Sequence, residues 1–282
     1  MWLRIIKPTG KCFGMHPNEC WLGMVRLLID LPGMEEKYSI RRHSVKTLLT
    51  KQDMEDGTNL PNWLLQEYRT FHDTVTDASF PCYFGMKAEN KGELRYAYIE
   101  HKDWSALPMA VEEFLELFQE PPFTRHGLFV FVEPEETEGT IDQYRNQFWD
   151  ILQFLHEEDT QGWPIDKPKD PEHYLWDFHF KQEPIFVFGN APAYKQRKTR
   201  DLGQSMVLGF QPRKIFEGLE GTEKGGIMSR EKVRERVEKW DDLPTHPDIS
   251  HFGDPDHNEW KQFFIGDDAE PIKGKCPFHY DK

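Results

Sequence analysis

Apolar residues recur at helical spacing in three stretches of the chain. Over Asn62–Thr76 they are Trp63, Leu64, Tyr68, Phe71 and Val75, which predicts a helix with Asn62 as its cap. Leu107–Gln119 predicts a second helix, with Pro108 in the first turn, where a missing N–H costs little. Thr140 and Gln143 form a capping box, opening a helix with Ile141, Tyr144, Phe148, Ile151, Leu152 and Leu155 on one face. Ser229 is the expected cap of a fourth, charged helix that turns Val233, Val237 and Trp240 inward. Alternating or continuously apolar runs at 93–100, 127–132, 184–188 and 205–210 predict strands, and a helical turn follows Pro212. Phe80-Pro81-Cys82 leads into a glycine-containing turn, 163–171 is a proline-punctuated loop, and 243–282 is loop-rich yet holds Trp260, Phe263 and Phe264. Helices and strands are interspersed. The expected fold is therefore mixed α+β, a single domain with a central, largely antiparallel sheet flanked by helices. Residues 1–60 are expected to be an N-terminal extension and 61–282 the domain proper.

Composition narrows the partners. The chain has 282 residues and a formal net charge of -14, a field that repels nucleic acid and anionic membrane. The densest basic stretch, Lys195, Arg197, Lys198 and Arg200, is too short for a nucleic-acid groove. Neither nucleic acid nor membrane is an expected partner, and a cationic small molecule would be steered favourably. Aromatics make up 14% of the residues, which argues against disorder. Four cysteines, Cys12, Cys20, Cys82 and Cys276, are too few for a disulfide scaffold and fit a reducing compartment. The start has too short an apolar run for a signal peptide, and 21–31 is broken by Gly23, Arg26 and Asp30, so the cytoplasm is the expected location. There is no phosphate-binding glycine loop, nucleophile elbow or Cys-x-x-Cys pair. Cys12, His16 and Cys20 recur every four residues, with His43 as a conceivable fourth metal ligand. Pro17 interrupts the helix that would align them.

A longer series of motifs carries a resemblance. It runs through Phe80-Pro81-Cys82, Leu94-Arg95-Tyr96, Trp163-Pro164, Trp176-Asp177-Phe178, Phe186-Val187, Pro192-Ala193 with Arg197 and Arg200, and Gln211-Pro212-Arg213. It continues with Leu243-Pro244-Thr245-His246-Pro247-Asp248, Phe252-Gly253, 258–264 and Cys276-Pro277-Phe278-His279. Over roughly residues 60 to 282 the chain resembles the YqcI/YcgG family. The resemblance implies haem b and N-hydroxylation of a guanidine or amine, with arginine or a related small molecule as substrate and peroxide or an electron donor as partner. Relatives of the haem-binding branch carry histidine within the stretch corresponding to Ala191, Pro192, Ala193 and Tyr194, and this chain has none there. Iron would then take another ligand.

The residues offer several. N-hydroxylation needs an oxidising cofactor because no side chain supplies one. Haem iron accepts thiolate, imidazole or tyrosinate. Cys82, beside Gly85, is the first candidate for metal and cofactor binding; the commoner fate of such a cysteine is a buried core position. Cys276-Pro277 offers a second thiolate or a tail cysteine packed by Phe278, and Tyr194 a phenolate or a packing residue. His246, restrained by Pro244 and Pro247, is an axial ligand, a proton donor or a turn residue bonded to Asp248, so both belong to the catalytic candidates. Arg197 and Arg200 would bind haem propionates or a substrate carboxylate, or lie on a solvated face. Trp176, Phe178, Glu259 and Trp260 are the candidate substrate residues, since a guanidinium favours carboxylate forks and flat rings. The alternative function is a haem or small-molecule carrier or sensor without turnover.

Overall fold

The computed structural model describes residues 46–119, 127–219, 221 and 223–280. The Cys12, His16, Cys20 and His43 pattern lies outside the described residues. Residues 47–282 form one compact unit. Its elements run β1 (Leu49–Thr50), α1 (Lys51–Asp56), α2 (Asn62–Thr76), α3 (Tyr83–Asn90), β2 (Arg95–Ile99), α4 (Leu107–Gln119), β3 (Leu128–Val132) and α5 (Ile141–Glu158). Then come β4 (Phe178–Phe180), β5 (Glu183–Asn190), β6 (Met206–Pro212) and α6 (Lys224–Trp240), with 3-10 turns at Lys198–Arg200, Arg213–Phe216 and Glu259–Gln262.

The six strands form one mixed sheet in the order β1-β2-β3-β6-β5-β4. Only β2 and β3 run parallel, because α4 carries the chain back across one face between them; the other neighbours are antiparallel. The α+β class and the mostly antiparallel sheet agree with the sequence pattern. Strand alternation divides the interior in two. Leu128, Val130 and Val132 face α4, α5 and the C-terminal segment, while Phe129 and Phe131 face α2 and α3. Both faces are covered, so β3 is buried at every position and reads as an unbroken apolar run.

Several local expectations change. The segment after Cys82 is helical, not a turn: the Cys82 thiol takes the N-cap and accepts the Gly85 N–H at 3.3 Å. Pro61, not Asn62, holds the N-cap position of α2, with no side-chain cap bond. Ser229 lies inside α6, which begins at Lys224. The capping box of α5 forms between Thr140 and Gln143 as its spacing requires. Among the described residues no helix is long and apolar enough to cross a membrane.

The C-terminal segment reaches the sheet where β4 stops short. β4 pairs only with 183–185, and farther along β5 the Gly189 N–H donates to the Phe263 carbonyl at 2.8 Å. Gly189 leaves room for the rings of Phe264 and Phe148, both at most 1% exposed. A methyl there would overlap the Phe264 ring and meet Phe148 at 3.0 Å. Gly189→Ala is therefore expected to destabilise the protein by about 1–3 kcal/mol, read as a lowered urea midpoint with an unchanged slope. An unchanged midpoint would mean that the C-terminal segment is not packed on β5 in this way.

Candidate functional site

Three separate motifs meet at one guanidinium. Arg213 follows the end of β6, Asp177 precedes β4, and Glu259 opens the last 3-10 turn. Arg213 Nε donates to Asp177 Oδ2 and its Nη2 to Glu259 Oε1. Phe186, Phe216 and Phe252 lie against the guanidinium, the last with its ring centre 4.3 Å away. Asp177 and Glu259 are almost fully buried, whereas Arg213 and Phe252 keep some contact with solvent. Gln262 Nε2 donates to the second Glu259 oxygen at 3.0 Å, which ties the turn to itself. Burial opposes the Arg213 charge, yet Asp177 and Glu259 outweigh it and hold the guanidinium above its ordinary value. Burial also pushes the Glu259 carboxyl above the usual carboxylate range, against the pull of Arg213. Two carboxylates face one cation, so the centre carries an excess of negative charge.

Beside it lies a box of rings. Trp163 stacks on Trp176 with centroids 6.1 Å apart, and Phe278 packs against both and against Phe178. His156 and Tyr280 complete the wall around Trp163. Trp149 connects the box to Trp260 and Phe263, and Phe263 in turn to Trp176. Trp176, Phe178, Glu259, Trp260 and Cys276, picked out from the sequence, thus gather in one interior region. Lys169 sits over the Tyr280 ring at 4.4 Å.

The sequence reading passed over His179, which β4 places between Phe178 and Phe180 in this region. Its ring centre is 4.7 Å from that of Trp163, and the side chain is buried. Nδ1 lies 2.9 Å from the Asp177 backbone carbonyl. A carbonyl oxygen only accepts, so the proton is on Nδ1 and Nε2 keeps its lone pair. Nε2 is buried without a hydrogen-bond partner. Burial holds the imidazole below its ordinary value, which keeps it neutral. The available signal was the Phe-His-Phe pattern, too short to be recognised as a strand.

The other sequence-derived residues fall elsewhere. Cys276 keeps its thiol protonated, since burial pushes it up to about 12 against a backbone hydrogen bond from Phe278. Tyr194 is buried and donates to the Ile265 carbonyl at 2.6 Å; burial pushes its hydroxyl further from ionisation. Arg197 donates from Nε to Gly266 O, from Nη1 to Pro244 O and from Nη2 to Asp268 O, so it staples the C-terminal segment. Asp267 returns the connection by accepting the backbone N–H groups of Lys195, Gln196 and Arg197. Arg200 lies over the Phe188 ring and donates to Gly189 O at 3.2 Å. His246 Nδ1 accepts the Asp248 N–H at 3.3 Å, which puts its proton on Nε2, and Asp248 in turn accepts the Ile272 N–H at 2.7 Å. Cys82 caps α3 on the opposite face of the sheet, where burial pushes its thiol up.

A further charged centre was not foreseen. The fully buried Glu89 carboxylate accepts from Tyr68 at 2.9 Å, from His72 at 2.7 Å and from Tyr96, with Lys51 Nζ at 3.6 Å. These partners come from α1, α2 and β2, so Glu89 locks one helical layer to the sheet and has no coordination left for a ligand. An open cavity of about 520 Å³ lies beside it, lined in part by Tyr68, Arg69 and His72. Among the described residues no group of three or more His, Cys, Asp or Glu side chains could hold a bare metal ion.

The fold and its interior define an α+β protein whose distinctive groups are a partly exposed guanidinium pinned by two buried carboxylates and a buried aromatic box. The chain belongs to the YqcI/YcgG family, whose model matches residues 71–279. It is 34% identical to YqcI of Bacillus subtilis (strain 168) over 82% of this chain and 94% of that protein. YcgG of the same organism is 33% identical over 84% of this chain and 97% of its own length. A protein of Streptomyces lavendulae named "Putative N(omega)-hydroxy-L-arginine synthase DcsA" is 26% identical over 79% of this chain and 87% of its own. No solved structure matches the chain.

Two outcomes follow from the charges. Arg213→Met leaves Asp177 and Glu259 as uncompensated buried carboxylates, with an expected loss of about 3–5 kcal/mol at neutral pH in urea denaturation. Without the guanidinium the raised Glu259 carboxyl would rise further, so the variant's deficit should shrink as pH is lowered and the group protonates. A deficit independent of pH would contradict this. His246 is the opposite case: burial first, then Arg197, lowers it from 6.5 to about 4. The unfolded chain then binds the proton that the folded chain refuses. This contribution is complete above about pH 6.5 and is lost as pH falls towards 4, on the order of 3 kcal/mol in all. His246→Gln should flatten that part of the stability profile between pH 7.5 and 5, and an unaltered slope would contradict the assignment.

Proposed function

We propose that this protein is a haem-dependent N-hydroxylase acting on the guanidine or amine nitrogen of arginine or a related small molecule. The observation that carries this reading is the similarity to the protein named as a hydroxyarginine synthase, which extends over 79% of the chain. The balance of the reaction is simple: a nitrogen-bound hydrogen gives way to hydroxyl. Peroxide supplies that oxygen with water as by-product, or dioxygen does so with two electrons and two protons from a donor. Haem, when bound, supplies the oxidising power that no side chain has.

The aromatic box does not fit such a group as it stands: Trp163, Trp176, His179 and Phe278 pack ring against ring, with centroids 4.7 to 6.1 Å apart, and leave no space for a macrocycle. The Asp177–Arg213–Glu259 centre does the substrate work. Its exposed Phe252 ring offers a flat face to a guanidinium arriving from solvent, while Asp177 and Glu259 stay paired with Arg213 behind it. The surrounding rings exclude water, which limits loss of reactive species.

The test uses protein expressed with haem precursor or reconstituted with hemin. Incubated with arginine, cyclic guanidines or simple amines, and with peroxide or dioxygen plus a reductase, it should yield a product heavier by one oxygen atom in mass spectrometry. Oxidant consumption without product across the panel, with tight ligand binding retained, would replace the enzyme by a carrier or sensor.

A further inference from the structure

A buried carboxylate that only joins two layers needs donors and nothing more. Glu89, on α3, has them in the Tyr68 hydroxyl at 2.9 Å, the Tyr96 hydroxyl and Lys51 Nζ at 3.6 Å. Burial and the Glu89 charge push both tyrosine hydroxyls further from ionisation, so both keep their protons and donate. His72 is an addition to that set. Its Nδ1 lies 2.7 Å from Glu89 Oε1, and a carboxylate only accepts, so the proton is on Nδ1 and Nε2 keeps its lone pair. Glu89 is fully buried, yet the imidazole keeps 31% of its side-chain surface open. Other histidines also meet carboxylates. Glu133 beside His101, and Asp254 beside His251 and His257, are themselves partly open, while His246 beside Asp248 is buried. Among the described residues, His72 is the one histidine that a fully buried carboxylate aims and that still reaches open space.

That space is the cavity of about 520 Å³ between α1 and α2, with His72 in its wall. Pockets for small organic molecules hold roughly 300–1,000 Å³. Met54 and Leu65 give it an apolar side, which suits an alkyl stem. Glu55, Asp56 and Asp73 bring three carboxylates to the lining against one guanidinium, that of Arg69. Lys51 offsets Glu55 from 3.8 Å, and Asp56 accepts only the neutral amide of Gln52 at 2.8 Å. With Lys51 counted beside Arg69, and Glu89 beside the three, four carboxylates still face two cations. An imidazole lone pair among carboxylates is complementary to a cation that carries N–H, and opposes an anion.

We propose that the cavity between α1 and α2 binds a small organic cation with an alkyl stem, an ammonium or a guanidinium, whose N–H donates to His72 Nε2. Glu55, Asp56 and Asp73 balance its charge, and Met54 and Leu65 take the stem. Glu89 is a positioning residue: it fixes the tautomer of His72 and aims the ring, and touches no ligand itself. The ligand belongs to the class proposed above as substrate, but the site requires neither haem nor turnover, so the two readings fail separately.

The test is NMR of the full chain carrying ¹⁵N in its histidines, with calorimetric titration of the same samples. The probes are butylguanidine and butylamine, with butanol and butyrate as neutral and anionic counterparts of the same stem. At about pH 8, above the ordinary imidazole range, His72 should show one protonated and one unprotonated nitrogen. The unprotonated resonance, identified by its loss in His72→Phe, should shift saturably with either cation and stay in place with butanol or butyrate. His72→Phe should weaken binding about tenfold or more, and so should Glu55→Gln combined with Asp73→Asn. If His72→Phe does not fold, the double variant carries the test, because both of its positions are exposed on helices. Weakened cation binding there supports the proposal, and unchanged binding overturns it. An equal response to butyrate or butanol overturns the ligand class. Absence of saturable binding of either cation, or shifts confined to other histidines, overturns the site.

Discussion

A guanidinium held between two buried carboxylates is the constraint on which the rest of this interior depends. Asp177, Arg213 and Glu259 come from the start of β4, the end of β6 and the C-terminal segment; the register Phe178–Ile185–Pro212 aligns the first two, and the ion pairs bring the third to them. Desolvating three charges is costly, and the cost is offset only in a geometry where each oxygen and N–H finds its partner. That demand fixes the short β4 strand at the sheet edge, and with it Trp176, Phe178 and His179. Arg197 does the corresponding work at the other end of the segment, spending its donors on backbone carbonyls so that Phe263 and Phe264 stay against β5. The chemistry is therefore supported by two arginines of different kinds, one pairing charge and one pairing backbone.

The elements that could be read from the sequence were those whose signal is local. The Thr140–Gln143 capping box, the Pro108 first turn and the unbroken apolar run of β3 each follow from a few adjacent residues, and each is present. Helix α3 was missed because its cap is a thiol, which is not among the usual capping side chains. β4 was missed because three residues do not make a period.

The same distinction applies to the site. Trp176, Phe178, Glu259 and Trp260 were legible as aromatic and acidic residues in motifs, and they gather in one region. Their meaning was not legible, because Arg213 stands 36 residues from Asp177 and 46 from Glu259, and only the folded sheet brings them together. The roles first considered for Arg197 look outward to a ligand, whereas its donors point to the chain's own carbonyls. Glu89 makes a related point: a buried carboxylate with four partners resembles a catalytic centre in composition, but its bonds are saturated and its role is to join layers.

What unites these observations is a closed aromatic interior built against a charged centre at its side. The most direct measurement is a crystal structure of the hemin-loaded protein with anomalous data collected at the iron edge. The account predicts one iron peak at full occupancy, with Asp177 and Glu259 still bonded to Arg213. No ordered iron peak, or a structure in which Arg213 has left either carboxylate, would contradict it.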